Sequence, residues 1–326
     1  MIVNTIKRDN KVDNIYYNIE LSFPETNNGL VSFEAIRTQD ILDKPSDYQL
    51  TIERFNIPTD NIPLFFFKQN FYEVGLRING IFYKKFVSYT QPFEEYDLPP
   101  NPIWNITDMS DAINEAFDDA FTDLKNAHTI TSTIAPRMQW IYNEKKTKLY
   151  VQKSYVNTDN IDIFINRQLF ALFSGYQNFG PDNTLPLQYQ ILVKDRVENS
   201  VTLNSIDYFI VEEEFSTLFN WNVLTSIQFE TSSIPVSPEL LGTRRNLIRN
   251  VITDFQPISG GDTNSSVQYF PQGPQRYYDL ISDYPLKRID IKVLWADKEG
   301  NTYPIFISEN GHFSLKIKFR RRDATI

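Results

Sequence analysis

The strongest pattern in this chain is an alternation of apolar and polar positions running from Trp221 to Arg322. Val223, Thr225, Ile227, Phe229 and Thr231 alternate with Leu224, Ser226, Gln228 and Glu230, and the run ends at Pro235 and Pro238. A period of two puts successive side chains on opposite faces, so this segment reads as a strand closed by prolines. Leu286 to Trp295 repeats the pattern, with Ile289, Ile291, Val293 and Trp295 on one face and Arg288, Asp290 and Lys292 on the other. Turns at 297–301 and 309–311 lead into Tyr303, Ile305 and Ile307 and then into Phe313, Leu315, Ile317 and Phe319. The chain is therefore expected to end in three antiparallel strands, the last carrying Lys316, Lys318 and Arg320 on its polar face.

Upstream, residues 1–14 are polar and mixed in charge and predict a flexible arm. Ile15 to Phe23 reads as a strand, a turn leads into Leu30 to Ile36, and Tyr48, Leu50 and Ile52 alternate with Gln49, Thr51 and Glu53. Asn79-Gly80, between Val74 to Ile78 and Ile81 to Phe86, signals a two-residue hairpin, because Asn and Gly both accept positive φ. An acidic, proline-rich connector follows from Phe93 to Pro102.

Helical spacing appears once at length. Met109, Ala112, Ile113, Ala116, Phe117, Ala120, Phe121 and Leu124 share a face opposite Asp111, Glu115, Asp118, Asp119 and Asp123, with the cap expected at Thr107 to Asp111. A hairpin at 140–151, a strand through Ile161, Ile163 and Ile165, and a short helix from Arg167 to Ser174, capped by Asn166 and stopped at Gly175, complete the middle. Strand signals then return at 189–193, 201–203 and 206–211, and Gln256 to Gly273 is rich in turn residues. No fixed-period repeat exists, which disfavours solenoids and propellers. The expected organisation is an arm at 1–14, a discontinuous β domain at 15–90 and 200–326, and an α+β insertion at 91–199.

Composition narrows the function classes. The 326 residues are 41 % hydrophobic, enough for a substantial core. A net charge of −9 argues against a general nucleic-acid binder, so any such contact must be local. Cysteine is absent, which removes disulfides, thiolate metal sites and a cysteine nucleophile, and suits a reducing compartment. The apolar run at 62–67 is too short to span a bilayer, and the first residues lack the apolar core of a signal peptide. A soluble protein made in the cytoplasm is expected.

Candidate chemistry is sparse. His128 and His312 lie near no Gly-x-Ser-x-Gly elbow and read as satisfied surface histidines. Gly260-Gly261 opens no phosphate-binding loop, and no ligand spacing supports a metal, so no cofactor is expected. Acidic pairs occur at Glu94-Glu95, Asp118-Asp119 and Glu212-Glu213-Glu214; a glycosidase would need two carboxylates across a cleft, but such pairs arise by chance in so acidic a chain. The sharpest positive cluster is Lys316, Lys318, Arg320, Arg321 and Arg322. It has two readings: protection of an edge strand against unwanted pairing, or contact with phosphate or an acidic subunit surface.

Taken together, these segments resemble the penton (minor capsid) proteins of virophages and polinton-like viruses. The resemblance is carried by Leu224 to Glu239 (LTSIQFETSSIPVSPE), Val251 to Pro257 (VITDFQP), Tyr277 to Leu280 (YYDL), Leu286 to Asp297 (LKRIDIKVLWAD), Tyr303 to Ile305, Phe313 to Phe319 (FSLKIKF) and, in the middle, Ile161 to Phe173 (IDIFINRQLFALF). It is strongest over 221–322. It implies a mainly β fold, a single jelly-roll β-sandwich with an inserted α+β domain. It also implies a non-enzymatic subunit that forms homopentamers at icosahedral fivefold vertices. Its expected partners are further copies of itself, the major capsid protein and packaged DNA through the basic C-terminus. The protein would be made in host cytoplasm and carried in the virion. The competing class is a spike- or fibre-like jelly roll that binds a receptor or glycan.

Overall fold

The computed structural model describes residues 14–26, 28–91, 101–182, 185–193, 199–241, 247–256, 266–270 and 275–322. The arm up to residue 13, most of the 93–102 connector, Glu94-Glu95 and Gly260-Gly261 lie outside the described residues. The chain divides into two compact units, one drawn from Met1–Ile62 and Val223–Ile326, the other being Pro63–Asn222.

The first unit is built from eight main strands: β1 Asn14–Ser22, β2 Ser32–Ile36, β3 Tyr48–Pro58, β4 Ser226–Glu230, β5 Val251–Phe255, β6 Ser266–Tyr269, β7 Arg288–Ala296 and β8 His312–Arg321. They form two antiparallel sheets, in the orders β1-β8-β3-β6 and β5-β4-β7-β2. Short strands add to both, Tyr278–Asp279 on β3 and Thr302–Pro304 on β7. The last strand lies between the first and the third, and the chain passes repeatedly from one sheet to the other. That connectivity is a jelly roll.

Alternation explains how the sheets pack. Phe313, Leu315, Ile317 and Phe319 of β8 and Ile289, Ile291, Val293 and Trp295 of β7 are all buried, as the pattern predicts. Phe55 of β3 lies 5.2 Å from Phe229 of β4, 4.8 Å from Phe255 of β5 and 5.4 Å from Tyr269 of β6, ring centre to ring centre. A single aromatic cluster thus ties the two sheets together.

Asp290 departs from the simple pattern. Its alternation places it on the wet face, yet only 7 % of it is exposed, because Thr231 to Ser233 fold over it. Its carboxylate accepts bonds from Thr231 Oγ1 at 3.0 Å, Ser232 N at 2.9 Å, Ser232 Oγ at 2.7 Å and Ser233 N at 2.7 Å. Burial pushes this carboxyl up, but the bonds from Ser233, Ser232 and Thr231 outweigh burial and hold it at about 2. A depressed value stabilises the fold above the unfolded pKa, and that contribution is lost as pH falls from about 4 through about 2. Asp290→Asn is expected to cost about 2 kcal/mol at neutral pH and to remove this step from an acid-unfolding profile followed by circular dichroism. An unchanged acid profile would show that the clamp contributes nothing.

The second unit links β3 to β4. One of its sheets has the order Asn178–Asp182, Leu185–Ile191, Asp162–Asn166, Glu73–Ile78, Ile81–Phe86; the other has Ser200–Leu203, Ile206–Glu212, Lys146–Gln152, Arg137–Ile141. Helix α1, Ile106–Ala127, packs on Glu73–Ile78 and Arg137–Ile141 through Met109, Ile113, Phe117 and Leu124, all fully buried. Its cap is Asn105, not Thr107: Asn105 is extended, and its side chain accepts from Asp108 N at 2.9 Å. Helix α2, Arg167–Leu172, is capped by Asn166 as expected, and α3, Leu218–Trp221, was not signalled by periodicity because it is a single turn.

The division between units falls at 62/63 and 222/223, whereas composition placed it near 90 and 200. The Asn79-Gly80 hairpin explains the first shift. Both residues have positive φ as expected, but strand Glu73–Ile78 pairs with Asp162–Asn166 of the insertion and not with the jelly roll. Ile206–Glu212 likewise pairs with Lys146–Gln152.

Candidate interaction surface

β8 is not an edge strand. It pairs with β1 on one side and β3 on the other, so edge protection does not account for its lysines and arginines. Lys316, Lys318 and Arg320 stand on its outer face, opposite the buried Phe313 to Phe319 series. Arg321 falls on the other side of the strand at its exposed end, and Arg322 leaves the sheet to pair with Asp279 at 3.3 Å. The cluster of five therefore resolves into a row of three.

Neighbouring strands complete the row. Lys316 pairs with Glu53 at 2.7 Å and lies 4.5 Å over the Tyr16 ring. Lys318 sits between two rings, 5.6 Å from Tyr16 and 6.0 Å from Tyr277. The Arg320 guanidinium stacks 3.7 Å from the Tyr277 ring and donates to Gln49 Oε1 at 2.9 Å. Stacking of this kind holds a cation in place without neutralising it.

Arg54 joins the same face. The β3–β8 register shifts between Lys316 and Ile317, so both Glu53 and Arg54 reach the outer side, and Arg54 stands directly opposite Lys316. Like charges opposite one another across a sheet repel. Alternation in β3 assigns Arg54 to the inner face, and nothing local in the sequence signals the bulge. Glu20 of β1 and Asp279, which stands opposite Gln49 of β3, are exposed acids on this face.

Several of the remaining candidates make local contacts. His128 Nε2 lies 2.9 Å from Tyr83 OH, and His312 is exposed at the start of β8. Asp118 pairs with Arg137 at 2.8 Å, Glu212 with Lys148 at 2.9 Å, and Glu214 accepts a bond from Gln177. Among the described residues, no group of three or more His, Asp or Glu could hold a metal ion.

Glu213 is the buried member of its run, 2 % exposed, with its carboxylate accepting from Thr217 Oγ1 at 2.6 Å and Thr147 N at 2.7 Å. Burial raises its pKa, opposed by the bonds from Thr217 and Thr147 and by the charge of Lys146. A raised value means stability that is full below the unfolded carboxylate range and falls as pH rises through the folded value. Glu213→Gln keeps the shape, and its amide can donate to Thr217 Oγ1 while its carbonyl accepts from Thr147. The variant is expected to unfold at higher temperature than wild type at pH 7, with the gap closing below pH ~4. A variant that is less stable at neutral pH would show that the ionised carboxylate is preferred there.

The two sheets of the first unit define a protein of the jelly-roll class. The fold matches a chain in the 3.5 Å cryo-EM structure of the Sputnik virophage with a TM-score of 0.83, 24 % identity, and coverage of 96 % of this chain and 99 % of that one. It also matches the crystal structure of the mavirus penton protein with a TM-score of 0.74, 18 % identity, and coverage of 94 % and 99 %. The family model for Sputnik minor capsid protein V18/19 matches residues 15–321, and the chain belongs to that family. Among individual relatives, structural protein V19 of Sputnik virophage is 26 % identical over 199 residues, covering 55 % of this chain and 91 % of that protein. The uncharacterized protein V18 of the same virophage is 29 % identical over 150 residues, covering 37 % and 90 %. The chain is a minor capsid protein, and proteins of this family are components of the virion.

Proposed function

We propose that the chain is a penton subunit, five copies of which form a ring closing each fivefold vertex of an icosahedral capsid, seated among copies of the major capsid protein. The observation that carries this reading is the family match across residues 15–321. The mavirus penton protein's fold, which covers 94 % of the chain, supports it. Physical chemistry is consistent: a closed ring uses repeated head-to-tail contacts between two different surfaces of one subunit. The role is read as non-enzymatic because the family is one of structural capsid proteins. Synthesis in host cytoplasm and transfer to the virion complete the reading.

Electron microscopy of the purified protein, alone and co-expressed with its major capsid protein, tests it. Class averages with fivefold symmetry are expected; threefold or sixfold particles would overturn the assignment.

A further inference from the structure

We propose that the outer face of the β1-β8-β3 sheet binds the phosphate backbone of nucleic acid. The occupant rests on the chain being a capsid protein, while the ring itself is not required for binding. Three observations carry the site. First, Lys316, Lys318 and Arg320 alternate along one strand, which spaces them about 6.8 Å apart on a single face. A row of cations on one sheet face can lie along a polyanionic backbone.

Second, the charges on this face are held but not cancelled. Tyr16 and Tyr277 fix Lys318 and Arg320 by ring contacts at 5.6 Å and 3.7 Å. Arg54 is exposed, and neither it nor Lys318 has a carboxylate partner among the described residues. Lys316 is the exception, being paired with Glu53 at 2.7 Å.

Third, Arg54 and Lys316 face one another across the ladder, an arrangement that an anion lying between them would relieve. The net charge of the chain is −9, so a cationic row on one sheet face is a local feature with a local partner. A backbone read through Arg54, Lys318 and Arg320 gives binding without sequence preference.

Fluorescence anisotropy with labelled duplex DNA, concentrations counted per chain, tests the site. Three phosphate contacts predict that affinity falls about 40-fold between about 50 mM and about 200 mM salt. The double variant Arg54→Gln/Lys318→Gln, its unfolding temperature checked against wild type, is expected to lose at least ~10-fold in affinity at low salt and to flatten the salt slope by about 2. Arg321→Gln, which lies off this face, should bind as wild type does. Absence of binding by wild type at low salt, or equal binding by the double variant, overturns the proposal. Competition by polyaspartate as strong as that by unlabelled DNA also overturns it, and would assign the face to an acidic protein surface. A pentamer that does not bind DNA sinks this inference alone, whereas a monomer that binds through these residues sinks only the ring.

Discussion

Phe55→Ala is expected to destabilise the jelly roll by about 3–5 kcal/mol, measured as a lowered midpoint of urea unfolding. Phe55 is 2 % exposed and its ring meets Phe229, Phe255 and Tyr269, three strands of two sheets, at 4.8 to 5.4 Å. Removing it deletes the apolar surface of the ring and leaves a cavity where the sheets meet, and the neighbouring aromatics cannot collapse into it without losing their own packing. Phe55→Leu retains most of the volume and is expected to cost less than half as much. A loss below about 1 kcal/mol for the alanine variant would mean that the sheets do not depend on this cluster.

Trp221→Ala is expected to have a comparable effect on the insertion, about 3–5 kcal/mol. The indole is 2 % exposed, meets Phe65 edge-on at 5.2 Å and Phe173 at 4.9 Å, and donates from Nε1 to the Leu172 carbonyl at 3.0 Å. Its removal costs packing against two aromatic rings and leaves a buried carbonyl without that donor. Trp221→Phe separates the two contributions, since it restores most of the packing and none of the hydrogen bond. Hydrogen exchange gives the location: amides of α1 and α2 should lose protection, while those of β7 and β8 keep it. Equal loss in both units would show that they unfold together.

The parts of this fold that local chemistry dictates were legible in the sequence. The alternating faces of Leu286 to Trp295 and Phe313 to Phe319 appear as β7 and β8 with the expected sides buried. The Asn79-Gly80 hairpin and the apolar stripe of α1 appear where their residues place them. Pairing over long sequence distance was not legible. β8 inserts between β1 and β3, and neither partner carries a local mark of it, so edge protection stood as one of two readings of its basic row.

Trp221 shows the same limit at a boundary. It precedes an alternating run and reads as the start of the last sheet, yet it packs in the insertion, because a single helical turn at Leu218–Trp221 re-aims it. The candidate surface was half legible for a related reason: its cations on β8 follow a period of two, whereas Arg54 reaches the face through a bulge that breaks the period in β3.

The mass of the assembled protein in solution tests the central claim most directly. Native mass spectrometry of the purified chain, alone and with its major capsid protein, is expected to show a species at five times 38.2 kDa. A stable trimer, or a chain that remains monomeric even beside its major capsid protein, would contradict the penton reading.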